Sequence, residues 1–322
     1  IGLDREGNIV SGFYAGRTHS IISVDNCLLG IEKDGDVNGT VMHIVKTFMN
    51  IYNIKPYDEK THKGLVRHVL IRIGAFTNEI MVCVVINGNK LPHSQELVEQ
   101  LLQIDGMTSI CLNVNKEKSN VILGKEIINM YGKDYIEDYI GDVKFRISPL
   151  SFFQVNPVQT EKLYNKALSF VSNSDTIVDL YSGTGTITML LAKKARKVIG
   201  IEVVKEAVED AKNNMLLNHI DNIEFICDKV ENKIDTLKET NIDTLIMDPP
   251  RGGSDKKTLK SLLEIEPKKI IYISCNPITL ARDINVLREK YDIKDVSAFD
   301  MFPNTYHVEC VCILKRKQTL EI

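Results

Sequence analysis

The chain has 322 residues, 43% of them hydrophobic, so it is long enough for two domains with sizeable cores. Lys and Arg number 40 against 43 Asp and Glu, a formal net charge of −3, which excludes a protein that grips nucleic acid by bulk positive charge. The seven cysteines form no C-x-x-C pair, so neither a disulfide framework nor a self-contained zinc site is indicated, and a reducing, cytoplasmic setting is expected.

No apolar stretch reaches the roughly 18 residues that cross a membrane, and the N-terminus lacks the pattern of a signal peptide, so no membrane partner is expected. The expected oligomeric state is a monomer. The chain opens at Ile1 rather than Met, so it is expected to be a fragment.

The first 150 residues predict a mixed α and β domain, mainly antiparallel. Two strand-like runs, 65–74 and 80–86, flank a short turn and predict a hairpin. A helix is expected over roughly 93–102, followed by a strand over 109–115.

From about Pro157 onward, strands alternate with helices. Alternation at this spacing predicts a doubly wound parallel sheet in a second domain, residues 151–322. The last two strand-like runs are expected to pair as an antiparallel unit. The predicted strands are 176–181, 197–202, 222–227, 244–247, 270–274, 293–301 and 307–314, and the clearest helices are 205–217 and 278–291.

A glycine pair follows the first of these strands. Gly183 and Gly185 let the backbone turn tightly toward a ligand at the start of the next helix. The third glycine of the dinucleotide fingerprint is missing, which favours a nucleoside without phosphate, such as S-adenosylmethionine. Glu202 ends the next strand, where an acidic side chain commonly binds ribose hydroxyls, and Asp228 is placed to meet an adenine amino group. An ordinary strand-to-helix turn with a solvated glutamate is the alternative.

Residues 248–251, Asp-Pro-Pro-Arg, end a later strand at the edge where open sheets bind ligands. The two prolines fix φ and remove two N–H donors, so carbonyl groups and the Asp248 carboxylate are expected to face the crevice. Such an acceptor-rich turn suits a planar polar group, and a plain tight turn is the alternative. Some amino-group methyltransferases carry an aromatic residue after Asp-Pro-Pro, whereas Arg251 follows here, which weakens that interpretation.

Cys275 directly precedes Asn276 and Pro277, a favoured N-cap and a favoured first helical residue. Unpaired N–H groups and the helix dipole favour thiolate over thiol, so a nucleophile with a lowered pKa is predicted. A small buried core residue is the alternative that spacing alone leaves open.

Glu309 stands in the run 307–314, where period-two alternation puts it on the face of Val311 and Ile313. Desolvation there would raise the pKa of its carboxyl toward the range of a general base. The exposed end of a strand is the alternative. His307 is predicted to be a hydrogen-bonded support rather than a catalytic group.

Five motifs in this order resemble those of the RNA uracil-5 methyltransferases, and the resemblance covers the whole chain. It implies a Rossmann-like S-adenosylmethionine methyltransferase domain over 151–322, preceded by a smaller α+β domain over 1–150 that contacts RNA. The implied reaction methylates carbon 5 of uridine, in 23S ribosomal RNA or, alternatively, in transfer RNA. The motifs are Phe-Gln-Val-Asn-Pro at 153–157, Asp-Leu-Tyr-Ser-Gly-Thr-Gly at 179–185, Asp-Pro-Pro-Arg at 248–251, Ser-Cys-Asn-Pro at 274–277, and Phe-Pro at 302–303 with His-Val-Glu at 307–309.

The resemblance also implies roles for individual residues. Cys275 is the implied nucleophile toward carbon 6 of uracil, and Glu309 the base that removes the carbon 5 proton. Asp248 and Arg251 are expected to orient the uracil, which must leave any stack, so single-stranded loops are the expected substrates. Phe152 or Phe153 is expected to stack on RNA or to line the pocket, while a core position is expected for one of them. Phe152 is the one expected to help orient the substrate. Cofactor contacts are implied for Gln154, Tyr181, Glu202 and Asp248.

Many members of that family begin with a small RNA-binding β-barrel of the TRAM type and a cysteine cluster that, with one later cysteine, holds a 4Fe–4S centre. Cys27 resembles that later ligand without its three partners. A cluster is therefore expected only in a longer protein, and otherwise no metal. Two other functions stay open: a non-catalytic RNA-binding or RNA-folding module, and a methyltransferase for exocyclic amino groups, which would not need Cys275.

Overall fold

The computed structural model describes residues 1–16, 18, 20–24, 36–172 and 175–318. The chain divides into two compact units. The first comprises Ile1–Tyr139 with Arg146–Leu150, and the second comprises Ile140–Phe145 with Ser151–Ile322. Within the described ranges, no helix is long and apolar enough to cross a membrane.

The N-terminal part of the chain contains two helices and several groups of paired strands. β9 and β10, the last two of its strands, pair with each other. In chain order, the elements are β1 (Gly2–Leu3), β2 (Ile9–Val10), β3 (Gly12–Tyr14), β4 (Ile21–Ser23), α1 (Val37–Ile51), β5 (Val66–Ile73), β6 (Ile80–Ile86), α2 (Ser94–Leu101), β7 (Met107–Val114), β8 (Glu126–Gly132), β9 (Ile136–Ile140) and β10 (Val143–Ile147).

The largest sheet of the first unit has the strand order β5-β6-β7-β8. β5 and β6 form the predicted antiparallel hairpin. β6 and β7 run parallel, so the expectation of an antiparallel first half is wrong at this pair. The reason is the connection, because α2 lies between these strands and a crossover helix allows two strands to run in the same direction. Every residue of β6 is buried, and its apolar side chains pack with both helices into one core.

The second unit alternates strands and helices as the sequence predicts. A 3-10 helix, Ile234–Glu239, is its one irregular helical segment among the described residues. In chain order, the elements are α3 (Pro157–Leu168), β11 (Thr176–Asp179), α4 (Thr186–Ala192), β12 (Lys197–Glu202), α5 (Lys205–Leu217), β13 (Ile223–Cys227), α6 (Val230–Lys233), β14 (Thr244–Met247), α7 (Lys256–Ile265), β15 (Lys269–Ser274), α8 (Pro277–Leu287), β16 (Tyr291–Phe299) and β17 (Glu309–Arg316).

These seven strands form one sheet in the order β13-β12-β11-β14-β15-β17-β16. The first five are parallel, and β17 is antiparallel to both β15 and β16. The prediction of a Rossmann-like α/β fold is confirmed, as is the antiparallel pairing of the last two strands. What the sequence did not predict is that β17, the later strand, lies between β15 and β16.

Local sequence explains why the strands and the helix nearest the candidate site form where they do. β14 and β15 are short apolar runs, buried almost throughout, which is typical of strands covered on both faces. α8 begins as predicted, because Asn276 accepts a hydrogen bond from the Ile278 N–H and Pro277 occupies the first turn. The helix packs Leu280, Ile284 and Leu287 into the main core of the unit.

Candidate active site

The candidate site lies at the carboxyl edge of the seven-stranded sheet. The chain runs outward from β11 to β13 on one side and continues from β14 to β15 on the other, so the strand order reverses between β11 and β14. Open α/β sheets bind ligands at such a switch point. Asp179 and Glu202 end β11 and β12, whereas Asp248 and Cys275 directly follow β14 and β15. The fold therefore brings four of the motif residues to one edge.

The glycine loop has the backbone that its sequence predicts. Gly183 and Gly185 have φ values of 53° and 79°, in the left-handed region that favours glycine. A Cβ on Gly185 would lie 2.9 Å from Met189 Cε, whereas one on Gly183 would meet no atom within 4 Å. The Ser182 hydroxyl is buried and has no hydrogen-bond partner in the described part of the chain. Gly185 thus serves packing, and Gly183 leaves open space for a ligand.

The Glu202 carboxylate is fixed by hydrogen bonds from the glycine loop and from the two residues that follow Glu202. Its Oε2 accepts a hydrogen bond from the Gly183 N–H at 2.9 Å, and its Oε1 accepts from the N–H groups of Val203 and Val204, both at 2.8 Å. Because each carboxylate oxygen has two lone pairs, Oε2 retains one acceptor position. The carboxylate is therefore oriented before any ligand arrives and can still accept one bond from a hydroxyl.

The other predicted cofactor residues are more varied in their surroundings. Asp228 accepts hydrogen bonds from the Asn232 amide and the Lys229 N–H, and these bonds lower the pKa of its carboxyl. The Tyr181 hydroxyl lies 3.2 Å from Ser254 Oγ, and burial raises the pKa of this phenol to about 12. Gln154 is half-buried.

The two adjacent phenylalanines differ in exposure. Phe153 packs against Phe145 with a ring-centroid distance of 5.9 Å, and the Phe152 side chain is 72% exposed. The carbonyl of Phe152 accepts a hydrogen bond from the Thr184 hydroxyl at 3.2 Å, which ties this segment to the glycine loop. Phe152 is therefore the ring that is available to a partner.

Cys275 and Glu309 are brought together by strand register. The antiparallel ladder of β15 and β17 ends with Ser274 opposite Cys310, and Cys275 and Glu309 are the residues next to this last pair. Glu309 lies close enough to Cys275 for its charge to raise the pKa of the thiol. Glu309 is 5% exposed, and burial raises the pKa of its carboxyl, as predicted.

The predicted thiolate character of Cys275 is wrong for the free protein. Burial raises the pKa of the thiol, and the carboxyls of Glu309 and Asp248 raise it further, with only partial opposition from Arg251. Loss of water around the thiol and negative charge nearby both disfavour the thiolate. Cys275 is half-buried, so the alternative of a fully buried core residue is also wrong.

Asp248 completes an acidic cluster with Glu309. Burial raises the pKa of the Asp248 carboxyl to about 7, and repulsion from Glu309 adds to the effect. Near neutral pH, this carboxyl is therefore divided between its protonated and ionised forms. A protonated carboxyl can donate a hydrogen bond, so Asp248 can act as donor or acceptor toward a planar polar ligand.

Arg251 acts on the cluster in two ways. Its positive charge lowers the pKa of both Cys275 and Glu309. Its carbonyl accepts hydrogen bonds from the Asn276 amide at 3.2 Å and the Thr279 hydroxyl at 3.3 Å. The turn after β14 is therefore tied to the start of α8, which fixes Asp248 relative to Cys275.

Two buried aspartates were not assigned roles from the sequence. Asp179 opens the glycine motif, is 1% exposed and accepts a hydrogen bond from the Thr188 hydroxyl at 2.6 Å; burial raises the pKa of its carboxyl to about 7. Asp283 is fully buried in α8, where it accepts from the Ser254 N–H and the Tyr272 hydroxyl. Since Ser254 also contacts Tyr181, Asp283 links α8 to the predicted cofactor pocket. The sequence feature that could have indicated a role for Asp283 is a carboxylate on the apolar face of a predicted helix.

The predicted iron–sulfur ligand cannot be placed, because Cys27 lies outside the described residues. Among those that are described, no group of three or more Cys, His, Asp or Glu side chains is arranged to hold a metal ion.

Replacing Asp248 by Asn is expected to stabilise the protein at neutral and higher pH. A carboxyl whose pKa rises from 3.8 to about 7 on folding favours the folded state when protonated, so its contribution becomes unfavourable as pH rises through that interval. The melting temperature of the variant should therefore exceed that of the wild type by a margin that grows from about pH 4 to about pH 7. Asp228→Asn is the control with the opposite sign, because the pKa of Asp228 is lowered by its hydrogen bonds. A margin that is constant with pH would contradict the expectation.

A doubly wound sheet with a glycine loop and acidic residues at its switch point is typical of proteins that bind a nucleoside-containing cofactor, the class to which S-adenosylmethionine-dependent methyltransferases belong. The family model of tRNA (uracil-5-)-methyltransferase matches residues 75–317. A protein of Clostridium tetani, described as an uncharacterized RNA methyltransferase, is 45% identical over 98% of this chain and 68% of its own length. One of Oceanobacillus iheyensis with the same description is 43% identical over 98% of this chain and 69% of its own.

A solved structure is also similar, that of Pyrococcus abyssi tRNA (uracil-54, C5)-methyltransferase in complex with S-adenosyl-L-homocysteine. It is 34% identical, with a TM-score of 0.77, and the match covers 92% of this chain and 70% of that one. The chain belongs to the tRNA (uracil-5-)-methyltransferase family. It is thus an S-adenosylmethionine-dependent RNA methyltransferase.

Proposed function

We propose that this protein methylates carbon 5 of a uridine in RNA, with Cys275 as the nucleophile and Glu309 as the base. The observation that carries the proposal is the pairing of β15 with β17, whose last pair, Ser274 and Cys310, lies next to Cys275 and Glu309. The Asp248 charge raises the pKa of the Cys275 thiol, and the Glu309 charge raises the pKa of the Asp248 carboxyl. Asp248 is therefore close to both residues. A thiol beside one buried and one half-buried carboxyl suits addition to a pyrimidine followed by proton removal.

The chemistry explains why a thiol and a carboxylate are both needed. Carbon 5 of uracil is too weak a nucleophile to take a methyl group unaided. Addition of the Cys275 sulfur at carbon 6, with loss of the thiol proton, moves the C5–C6 electron pair toward the carbonyl oxygen on carbon 4 and makes an enolate. After carbon 5 has gained the methyl group, Glu309 takes the remaining carbon 5 proton, the double bond re-forms and the sulfur leaves.

Asp248 and Arg251 are proposed to stabilise the negative charges that form during these reaction steps. A protonated Asp248, favoured by its raised pKa of about 7, can donate a hydrogen bond to the oxygen that becomes negative in the enolate. Arg251 lowers the pKa of Cys275 and so favours loss of the thiol proton. Because that pKa is nevertheless raised overall, adduct formation is expected to speed up as pH rises toward it.

The residues around the glycine loop fit S-adenosylmethionine, which supplies the methyl group when bound. Glu202 has one free acceptor position, Gly183 leaves open space, and the buried Ser182 hydroxyl has no partner in the described part of the chain. We propose contacts from these residues and from Gln154, Tyr181, Gly185, Asp228 and Asp248, the residues that the sequence predicted.

We propose 23S ribosomal RNA as the substrate, in line with the resemblance seen in the sequence, and transfer RNA as the second candidate. The second is favoured by the name of the matching family and by the similar Pyrococcus abyssi protein, which is a tRNA (uracil-54, C5)-methyltransferase. We further propose that residues 1–150 help to hold the RNA and that residues 151–322 carry the methyltransferase reaction.

The test is methyl transfer from S-adenosylmethionine labelled in its methyl group to unmodified transcripts of 23S ribosomal RNA and of transfer RNA. After digestion to nucleosides, the label is expected in 5-methyluridine, and the transcript that carries it identifies the substrate. Label in a base methylated on an exocyclic amino group would replace the proposed reaction. No label in either RNA, with cofactor binding intact, would favour a non-catalytic RNA-binding module.

A further inference from the structure

Tyr306 is an aromatic side chain held in place yet left open to solvent. It is 90% exposed, although burying a ring of this kind usually stabilises a fold. One side of the ring packs on His307, with a centroid distance of 4.2 Å, and His307 in turn meets Phe302 edge-on at 6.1 Å. His307 thus contacts two rings, and its role as a hydrogen-bonded support stays a prediction.

The backbone beneath these rings is also fixed. The Thr305 N–H and hydroxyl both donate to the Phe302 carbonyl, at 3.2 and 2.7 Å, and the His307 N–H donates to the Thr305 hydroxyl at 3.2 Å. Asn304 adopts a left-handed φ of 63° that closes the turn. The turn thus fixes the backbone on either side of Tyr306, while the ring itself stays open to a flat partner.

The position of Tyr306 relates it to the candidate active site. It precedes Glu309 by three residues, and Ile278, which is 81% exposed, follows Cys275 by three residues. Phe152 is 72% exposed, and the Asn156 amide ties its segment to the Met301 carbonyl at 3.2 Å. We call Phe152, Ile278 and Tyr306 the apolar rim. Each member of the rim is thus close in sequence or by a hydrogen bond to a segment of the candidate active site, and each is open to a partner.

The charge of the protein limits what this rim can bind. With a net charge of −3, the chain cannot rely on many phosphate contacts for affinity. Stacking of unpaired bases on aromatic rings is the other main source of affinity for single-stranded nucleic acid, and it depends little on salt. A uridine that has left its stack uncovers one face of each neighbouring base, and that face can stack on such a ring.

We propose that Tyr306 is a stacking platform for an unpaired base adjacent to the target uridine, with Phe152 and Ile278 completing the rim. The proposal rests on the proposed function, since it takes the RNA segment at the active site as the occupant. It assigns single-stranded RNA to this surface rather than a duplex or a protein.

The test compares Tyr306→Ala, Tyr306→Phe and Leu216→Ala for binding to a fluorescent, unstructured RNA of about 12 nucleotides with one central uridine. Tyr306→Ala is expected to weaken binding about tenfold, by a ratio that persists at high salt, whereas Tyr306→Phe keeps the ring and should bind like wild type. Leu216 is an apolar residue of α5 that is 67% exposed, so Leu216→Ala is the matched control and should change nothing.

Unchanged RNA affinity in Tyr306→Ala would overturn the proposal and point to another occupant, such as a protein. Equal losses in Tyr306→Phe and Tyr306→Ala would also overturn it, because the hydroxyl rather than the ring would then carry the contact. Failure of the wild-type protein to bind the oligonucleotide would also overturn the stacking proposal. A wild type that binds through Tyr306 but forms no 5-methyluridine would sink the proposed function and leave the stacking proposal standing.

Discussion

Replacement of Cys275 by alanine is expected to lower methyl transfer to RNA by about 10⁴-fold or more, because the covalent step loses its nucleophile. With RNA that contains 5-fluorouridine, the wild type should give a cofactor-dependent adduct that survives denaturing electrophoresis, since fluorine cannot leave carbon 5 as a proton does. The Cys275→Ala variant should give no such band.

Two controls make the Cys275 result specific. Cys227 is exposed in the same unit, so Cys227→Ala removes a thiol without touching the cluster and should keep both the adduct and the activity. Affinity for S-adenosylmethionine, measured by calorimetry, should be unchanged in Cys275→Ala. A band that persists in Cys275→Ala would overturn the assignment of the nucleophile, whereas loss of cofactor binding would indicate damage to the fold.

Replacement of Glu309 by glutamine is expected to stop the reaction after methyl transfer. The amide is close in size to the carboxylate but cannot accept the carbon 5 proton, so the sulfur cannot be expelled. Turnover should fall by about 10²- to 10⁴-fold, and a methylated protein–RNA adduct should accumulate even on ordinary uridine. Denaturing electrophoresis with methyl-labelled cofactor detects this species as a band that carries the label.

The informative comparison is with Glu309→Asp, which keeps an acid but shortens it, and which should turn over slowly without building up the adduct. If Glu309→Gln forms neither adduct nor product, Glu309 acts before or during the addition of Cys275, and its role as the base that ends the reaction is wrong. Affinity for S-adenosylmethionine should again be unchanged. The replacement removes one charge but leaves the pairing of β15 with β17, and so the fold around the site, intact.

Much of the second unit could be predicted because its signals are local. Strands such as Thr244–Met247 are short apolar runs, and the helix at Pro277–Leu287 has both a capping side chain and a proline in its first turn. The glycine pair likewise predicts its own left-handed backbone. The mixed character of the first unit was missed at β6 and β7, because strand direction depends on which connection the chain takes and not on the composition of either strand.

The electrostatics of Cys275 could not be predicted, for a related reason. Neighbours in sequence, Asn276 and Pro277, suggested a lowered pKa, whereas neighbours in space, Glu309 and Asp248, raise it. Glu309 reaches Cys275 only because β17 lies beside β15, and strand order within a sheet is a long-range property. Asp283 was overlooked on similar grounds, since its partners Ser254 and Tyr272 come from two other parts of the chain.

The central place of β17 has a consequence for how the protein is made. β17 leaves the ribosome after the other six strands of its sheet, yet its position is between β15 and β16. Until residues 309–316 emerge, β15 and β16 have no ladder to join them, and Cys275 has no partner across the sheet. The sheet is therefore completed by its last strand, and Glu309 joins Asp248 and Cys275 at its edge only when synthesis of this unit is nearly finished.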